Sequence, residues 1–258
     1  MRRLFSLMLA SLLVLPAVAH ADMSDIRHAD NAVYVSTGAD LFSYQESVSP
    51  LPDSEHGWLV SLGAGVSYLS SGDWYFALDG DGALGDAAYN GALLASPSVP
   101  YYGTTHEAMA SIDAKVGKGF ELSDSFMATP YIELGARGWR RDLSATQRED
   151  YGNFEGLGGL MMQWSPVNRW VVTAYGAAGT TFSGRMDSGG NRYHLGEAGA
   201  YKVGGKIGYA FLPRWQVFTS YDYNAFRYVN SEVIGSSYEP SSQTQNNACR
   251  LGLSYSYR

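Results

Sequence analysis

Side-chain polarity alternates with a period of two through ten separate stretches of this chain, and that pattern limits its fold more than any motif does. In residues 33–46, Val33, Val35, Thr37, Ala39 and Leu41 share one face, while Tyr34, Ser36, Gly38 and Asp40 share the other. In residues 57–69, Trp58, Val60, Leu62, Ala64, Val66 and Tyr68 oppose Ser61, Gly63, Gly65 and Ser67. The same alternation marks strands beginning at residue 73 and spanning 106–117 and 126–141, one ending at Trp164, and one over 170–182 whose two faces are both small or apolar. Three more run through Tyr201 to Phe211, Trp215 to Tyr223, and Cys249 to Tyr257. A period of two is the signature of strands, whose successive side chains point to opposite faces. One face here is a clean apolar band. The other carries Gly, Ser and a few charges, in place of the Lys- and Glu-rich surface a soluble sandwich would show.

Composition removes the competing classes. Charged residues are 17% of the chain, hydrophobic residues 45% and aromatics 14%, which excludes a disordered chain and a coiled coil. One cysteine, Cys249, excludes an internal disulfide. A net charge of −7 disfavours a nucleic-acid partner. At the N-terminus Arg2 and Arg3 precede an apolar run to Leu15, Pro16 breaks it, and Ala19-His20-Ala21 supplies a small-x-small site. Residues 1–21 therefore read as a secretory signal peptide cut after Ala21, with 22–258 as one barrel domain. The run is too short for a spanning helix, and no later stretch is long and apolar enough for one.

The links have their own alternation. Those at 70–72, 118–125, 165–169 and 212–214 are short, whereas those at 47–56, 82–105, 142–150, 183–195 and 229–243 are longer. Short links then share one rim with both termini, and long links share the other. Tyr68, Trp74, Trp164, Trp170, Phe211, Trp215 and Tyr257 sit beside the short links or the chain end, as residues of a membrane interface do. In lipid an open sheet edge would cost several kcal/mol per unpaired backbone group, so the sheet must close on itself. The predicted fold is all-β: a transmembrane antiparallel up-and-down β-barrel of ten strands. Eight is the alternative if the third or seventh segment is misassigned, although losing only one would break the even count.

With its leader, its alternation and its final Leu251-Gly252-Leu253-Ser254-Tyr255-Ser256-Tyr257-Arg258, the chain resembles bacterial outer-membrane β-barrel proteins over its whole mature length. That ending is similar to the terminal-strand signal read by the barrel-assembly machinery, except that Arg258 follows the aromatic. The resemblance implies a cell outer membrane location and outer-membrane lipids as surroundings. It specifies architecture and not an activity.

The polar face carries charges that need partners in a narrow lumen. Register arithmetic predicts a network of Glu107, Arg137 and Glu155, and a second of Asp222 and Arg250 with Lys202 and Lys206, which Asp40 could close. A plug of ion pairs is the favoured reading over a selective pore or proton-linked site, since small barrels are filled by side chains. Near the long-link rim, Arg140, Arg141, Arg148, Arg185, Arg192 and Arg227 are candidates for binding lipopolysaccharide phosphates. Ten-stranded outer-membrane barrels include the omptin proteases, whose site resembles an acidic pair opposed to an Asp–His pair that activates water. Asp79 and Asp81 could supply the acidic pair and His194 the base, but the close Asp-x-His spacing is absent, and Asp187 could substitute only if its loop folds back. The predicted role is therefore a non-catalytic barrel with a structural, surface-interaction or small-solute role, and an omptin-like protease is the alternative. No metal-ligand spacing and no cofactor motif appears.

Overall fold

A computed structural model describes residues 22–47, 52–92, 98–144, 147–235 and 237–258. The expected leader, 1–21, lies outside the described residues. A short helix, α1 (Met23–Asp30), precedes twelve strands: β1 (Ala32–Glu46), β2 (Ser54–Leu69), β3 (Trp74–Ala92), β4 (Pro100–Lys118), β5 (Phe120–Ser123), β6 (Phe126–Asp142), β7 (Arg148–Trp164), β8 (Trp170–Ser188), β9 (Asn191–Leu195), β10 (Ala198–Leu212), β11 (Trp215–Tyr228) and β12 (Ser242–Ser256). Ten of them are the staves of a closed antiparallel barrel. The short β5 and β9 only extend hairpins, β5 pairing β6 and β9 pairing β8. Closure runs from Ala32 opposite Ser256 to Glu46 opposite Ser242, so neither β1 nor β12 presents a free edge.

The alternation sorts side chains as the sequence implies. Val35 is 61% exposed on the outer wall while its neighbour Ser36 is 8% exposed on the inner. Trp58, Val60, Leu62, Phe76, Leu78, Ile112, Ile132, Leu134, Val203, Ile207 and Leu251 are likewise exposed. Trp74, Trp164, Trp170, Trp215 and Tyr257 ring the short-turn rim, also outward. Glycines on the inner wall make room for rings lying flat across a neighbouring strand. The Tyr34 ring covers Gly65, where a Cβ would lie 2.6 Å from it, and a Cβ on Gly252 would collide with the ring of Phe218. These cross-strand ring-over-glycine pairs recover packing that a bare glycine forfeits.

Toward the long-loop rim the polarity inverts. Inside lie Phe42, Tyr44, Tyr89, Trp139, Tyr151, Met186, Phe226 and Tyr228, all buried. Outside lie cross-strand polar pairs: Asp86 with His106 at 2.5 Å, Arg140 with Asp150 at 2.8 Å, and Arg148 with Asp142 at 2.6 Å. This end is built as a water-soluble barrel, with an aromatic interior and a charged exterior. The inversion explains the largest departure from expectation. The 82–105 link is mostly wall, because β3 runs on to Ala92 and β4 begins at Pro100. Two other expected long links also shrink. Residues 183–195 form the β8–β9 hairpin, and 143–147 alone join β6 to β7.

The helix α1 closes the short-turn rim. Asp22 caps its first turn by accepting from Ser24 N at 3.1 Å. Ile26 is fully buried under the barrel. Arg27 pairs with Asp73 and with Glu121, the latter at 2.6 Å. Asp25 accepts from Ser165 Oγ and Arg169 N, both at 3.1 Å. Helix α1 is thus pinned to the turns of three different hairpins. At its end, the Asn31 side chain accepts from Leu69 N at 3.2 Å, and its carbonyl accepts from Tyr257 N at 3.1 Å.

Candidate functional site in the barrel lumen

Above α1 the lumen encloses a cavity of about 230 Å³, lined among others by Asp30, Tyr34, Asp79, Lys206, Asp222 and Arg250. Asp30 forms part of its floor, accepting from Gln163 Nε2 at 2.7 Å. Burial away from water pushes the Asp30 carboxyl up to about 6, so docking of α1 gains as pH falls through that value toward the ordinary carboxylate range.

The middle of the lumen is a charge network centred on Lys202. Its Nζ lies 3.0 Å from Asp113, 2.6 Å from Glu133 and 2.5 Å from Glu155. These three buried carboxylates lie within 4.8 Å of one another and have the donor chemistry of a metal site, but the Lys202 ammonium already stands among them. Arg137 pairs with Glu155 at 3.3 Å and lies 3.9 Å over the Phe226 ring. Lys115 pairs with Asp79 at 2.8 Å. Arg250 reaches Asp81 at 2.5 Å and Asp222 at 3.6 Å, and donates from Nε to Ser61 Oγ at 2.7 Å.

Of the sequence-predicted network, Arg137 and Glu155 come together, as do Asp222 and Arg250. Glu107 does not meet Arg137. The register sets Glu107 opposite Arg141 and Arg137 opposite Ser111, and Glu107 instead accepts from Trp139 Nε1 at 2.6 Å. Lys206 lies 5.4 Å over the Phe218 ring. Asp40 accepts from Asn246 Nδ2 at 2.7 Å. Asp113, Glu133, Lys115 and Asp81 complete the layer and were not in the expected set. Their parity signal was present, since each lies two or four positions from an inward residue on its own strand.

A second layer fills the long-loop end. Arg141 is 1% exposed. Its guanidinium lies 3.0 Å from Glu46, 2.7 Å from Glu149 and 2.5 Å from Glu55, against the Tyr44 ring at 4.6 Å. This corrects its expected place on the rim: Arg140 faces outward, so Arg141 must face inward with Arg137 and Trp139. Arg185, Arg192 and Arg227 are exposed as expected, and Asp187 pairs with Arg192 at 2.7 Å.

The protease constellation is not assembled. Asp79 and Asp81 lie in the lower and middle wall, held by Lys115 and Arg250, because β3 continues eleven residues beyond Asp81. His194 lies exposed in the β8–β9 hairpin opposite Arg185. The eleven residues of β3 beyond Asp81 correspond to roughly 35 Å of strand.

Ten staves, a polar lumen, an apolar belt and an aromatic ring at one rim define a closed barrel of the outer-membrane type. No protein-family model matches the chain, and no curated protein matches it. Among solved structures it is similar to the outer membrane protease OmpT from Escherichia coli, with 9% identity over 88% of this chain and 97% of that one, at a TM-score of 0.61. The translocator domain of the autotransporter NalP from Neisseria meningitidis aligns at 14% identity over 90% of this chain and 91% of that one, with a TM-score of 0.49. Neisserial surface protein A aligns at 15% identity over 87% and 97%, with a TM-score of 0.35. At such identity the likeness to OmpT shows the fold alone.

Proposed function

We propose that this chain is an integral outer-membrane barrel, exported by a cleaved leader spanning 1–21, that serves a structural or surface-interaction role without catalysis or open solute flow. One observation carries this reading. Side chains cross the lumen at three levels, in α1, in the Lys202 network and in the Arg141 network, and ion pairs hold each of them to the wall or its turns. The short-turn rim, where both termini lie, then faces the periplasm. The separation of Asp81 from His194 supports the non-catalytic side of the reading.

Single-channel recording of the refolded protein in planar bilayers tests it. The wild type is expected to stay closed, and Arg137→Ala to stay closed as well, because α1 and the Arg141 network still cross the lumen at the other two levels. A wild type that already conducts steadily would favour the small-solute pore. On the outer rim the same reading assigns exposed Arg140 and Arg227 to lipopolysaccharide phosphates. Replacing both with Gln should lower the lipopolysaccharide that co-purifies, and unchanged retention would remove that assignment.

A further inference from the structure

The connection from β11 to β12 returns to the barrel mouth and places one carboxyl inside it. Glu239 is 5% exposed although it belongs to no strand. Its backbone is fixed from both sides: Glu239 N donates to Ser231 Oγ at 2.8 Å, and its carbonyl accepts from Ser231 N at 2.9 Å. Two residues on, the Ser241 carbonyl accepts from Ser47 N at 2.8 Å, which ties the segment to the end of β1.

The groups around the Glu239 carboxyl are mostly acidic. Glu46 and Tyr44 come from β1, Arg141 from β6, Glu149 and Tyr151 from β7, and Tyr228 from β11. Arg141 is the one cation among them, and it is already shared by Glu46, Glu55 and Glu149. No ion pair ties Glu239 to a cation among the described residues.

Proton counting then restricts the protonation state. Tyr151 Oη lies 2.6 Å from Glu239 Oε1, 3.1 Å from Glu149 Oε2 and 3.4 Å from Tyr44 Oη. Tyr44 Oη in turn lies 2.5 Å from Glu46 Oε1, which takes the Tyr44 proton. A phenol has a single proton to give. Tyr151 can therefore donate to Glu149 or to Glu239 but not to both, and the other contact holds only if that carboxyl donates. Both Glu149 oxygens already accept hydrogen bonds, Oε2 from Arg141 Nη1 at 2.7 Å and Oε1 from Gln147 Nε2 at 3.1 Å. The remaining proton belongs on Glu239, which donates it to Tyr151 Oη.

We propose that residues 237–241 form a proton-dependent latch over the long-loop rim, closed while Glu239 is a carboxylic acid and released when its proton passes to solvent. Once ionised, Glu239 faces Glu46 and Glu149 with no cation of its own, and the latch is pushed out of the mouth. Burial first, and then the charges of Glu46 and Glu149, raise the Glu239 carboxyl well above the ordinary range. A group whose docked affinity for protons is raised stabilises docking at low pH and loses that contribution as pH rises through its docked value. The latch is therefore closed in acid and opens toward alkali.

Hydrogen–deuterium exchange of the full-length mature barrel in detergent, corrected for the intrinsic pH dependence of exchange, reads the latch directly. Protection of 237–241 should be flat in acid, fall about tenfold per pH unit from the ordinary carboxylate range up to the docked value, the slope of one proton, and level off above it. Glu239→Gln should keep protection high across the range. Glu149→Gln removes one of the charges that raise the Glu239 carboxyl, so the fall should end at lower pH and be smaller in total, which keeps the proposal testable if the first variant refolds poorly. Protection that does not change with pH in the wild type would overturn it, as would the same fall in Glu239→Gln.

Discussion

Replacing Arg141 with Met is expected to destabilise the folded barrel by about 3–5 kcal/mol, the cost of breaking a buried ion pair from one side. The side chain is nearly volume-matched, so the loss is electrostatic. Glu46, Glu55 and Glu149 would face one another within the closed mouth with no counter-charge. Arg141→Lys should recover only part of this, because one ammonium cannot reproduce the planar fork that donates from Nε to Glu55 and from Nη1 to Glu46 and Glu149. Urea unfolding of the refolded protein in detergent measures the effect. A loss below about 1 kcal/mol would mean that the carboxyls discharge themselves by taking up protons.

Lys202→Met should cost a similar amount and add a property the wild type lacks. Asp113, Glu133 and Glu155 then keep their places within 4.8 Å of one another with nothing at their centre. Calcium binds such oxygen sets at about 2.3–2.6 Å. The variant, and not the wild type, should therefore be stabilised by millimolar calcium, by about 2.7 kcal/mol at a hundredfold excess over its dissociation constant. Addition of Glu133→Gln should relieve part of the destabilisation and weaken the calcium effect. Equal calcium dependence in both proteins would show that Lys202 does not occupy the centre of this triad.

These two residues also show how much of the site could be read in the sequence. The inward place of Lys202 was legible because its strand is strictly alternating, with Tyr201 and Val203 exposed and Lys202 buried between them, but its partners were not: expected beside Asp222 and Arg250, it meets Asp113, Glu133 and Glu155. Arg141 was legible in principle by the same counting from Arg137. It was misplaced because the pair Arg140-Arg141 near a strand end reads as a solvated rim. The underlying reason is physical. The alternation rule assumes hydrocarbon outside, and beyond the lipid belt water is outside instead. There, outward Asp86 and Arg140 and inward Tyr89 and Trp139 invert the pattern, and the outer halves of β3 and β4 looked like a loop. Helix α1 was missed for another reason. Its eight residues carry no apolar face long enough to register, and it is held by polar contacts to distant turns. The Glu107 partner was misjudged because cross-strand partners depend on register, which turn geometry sets to the residue and alternation alone does not.

The central claim is that successive residues of each stave divide between hydrocarbon and a closed lumen, and Cys249, the chain's single cysteine, reports on it directly. It is exposed on β12, next to buried Ala248 and half-buried Arg250. A nitroxide attached to Cys249 in lipid vesicles should collide freely with dissolved oxygen, which concentrates in hydrocarbon, and be shielded from a water-soluble nickel chelate. Strong broadening by the chelate and weak broadening by oxygen would place this face in water and contradict the account.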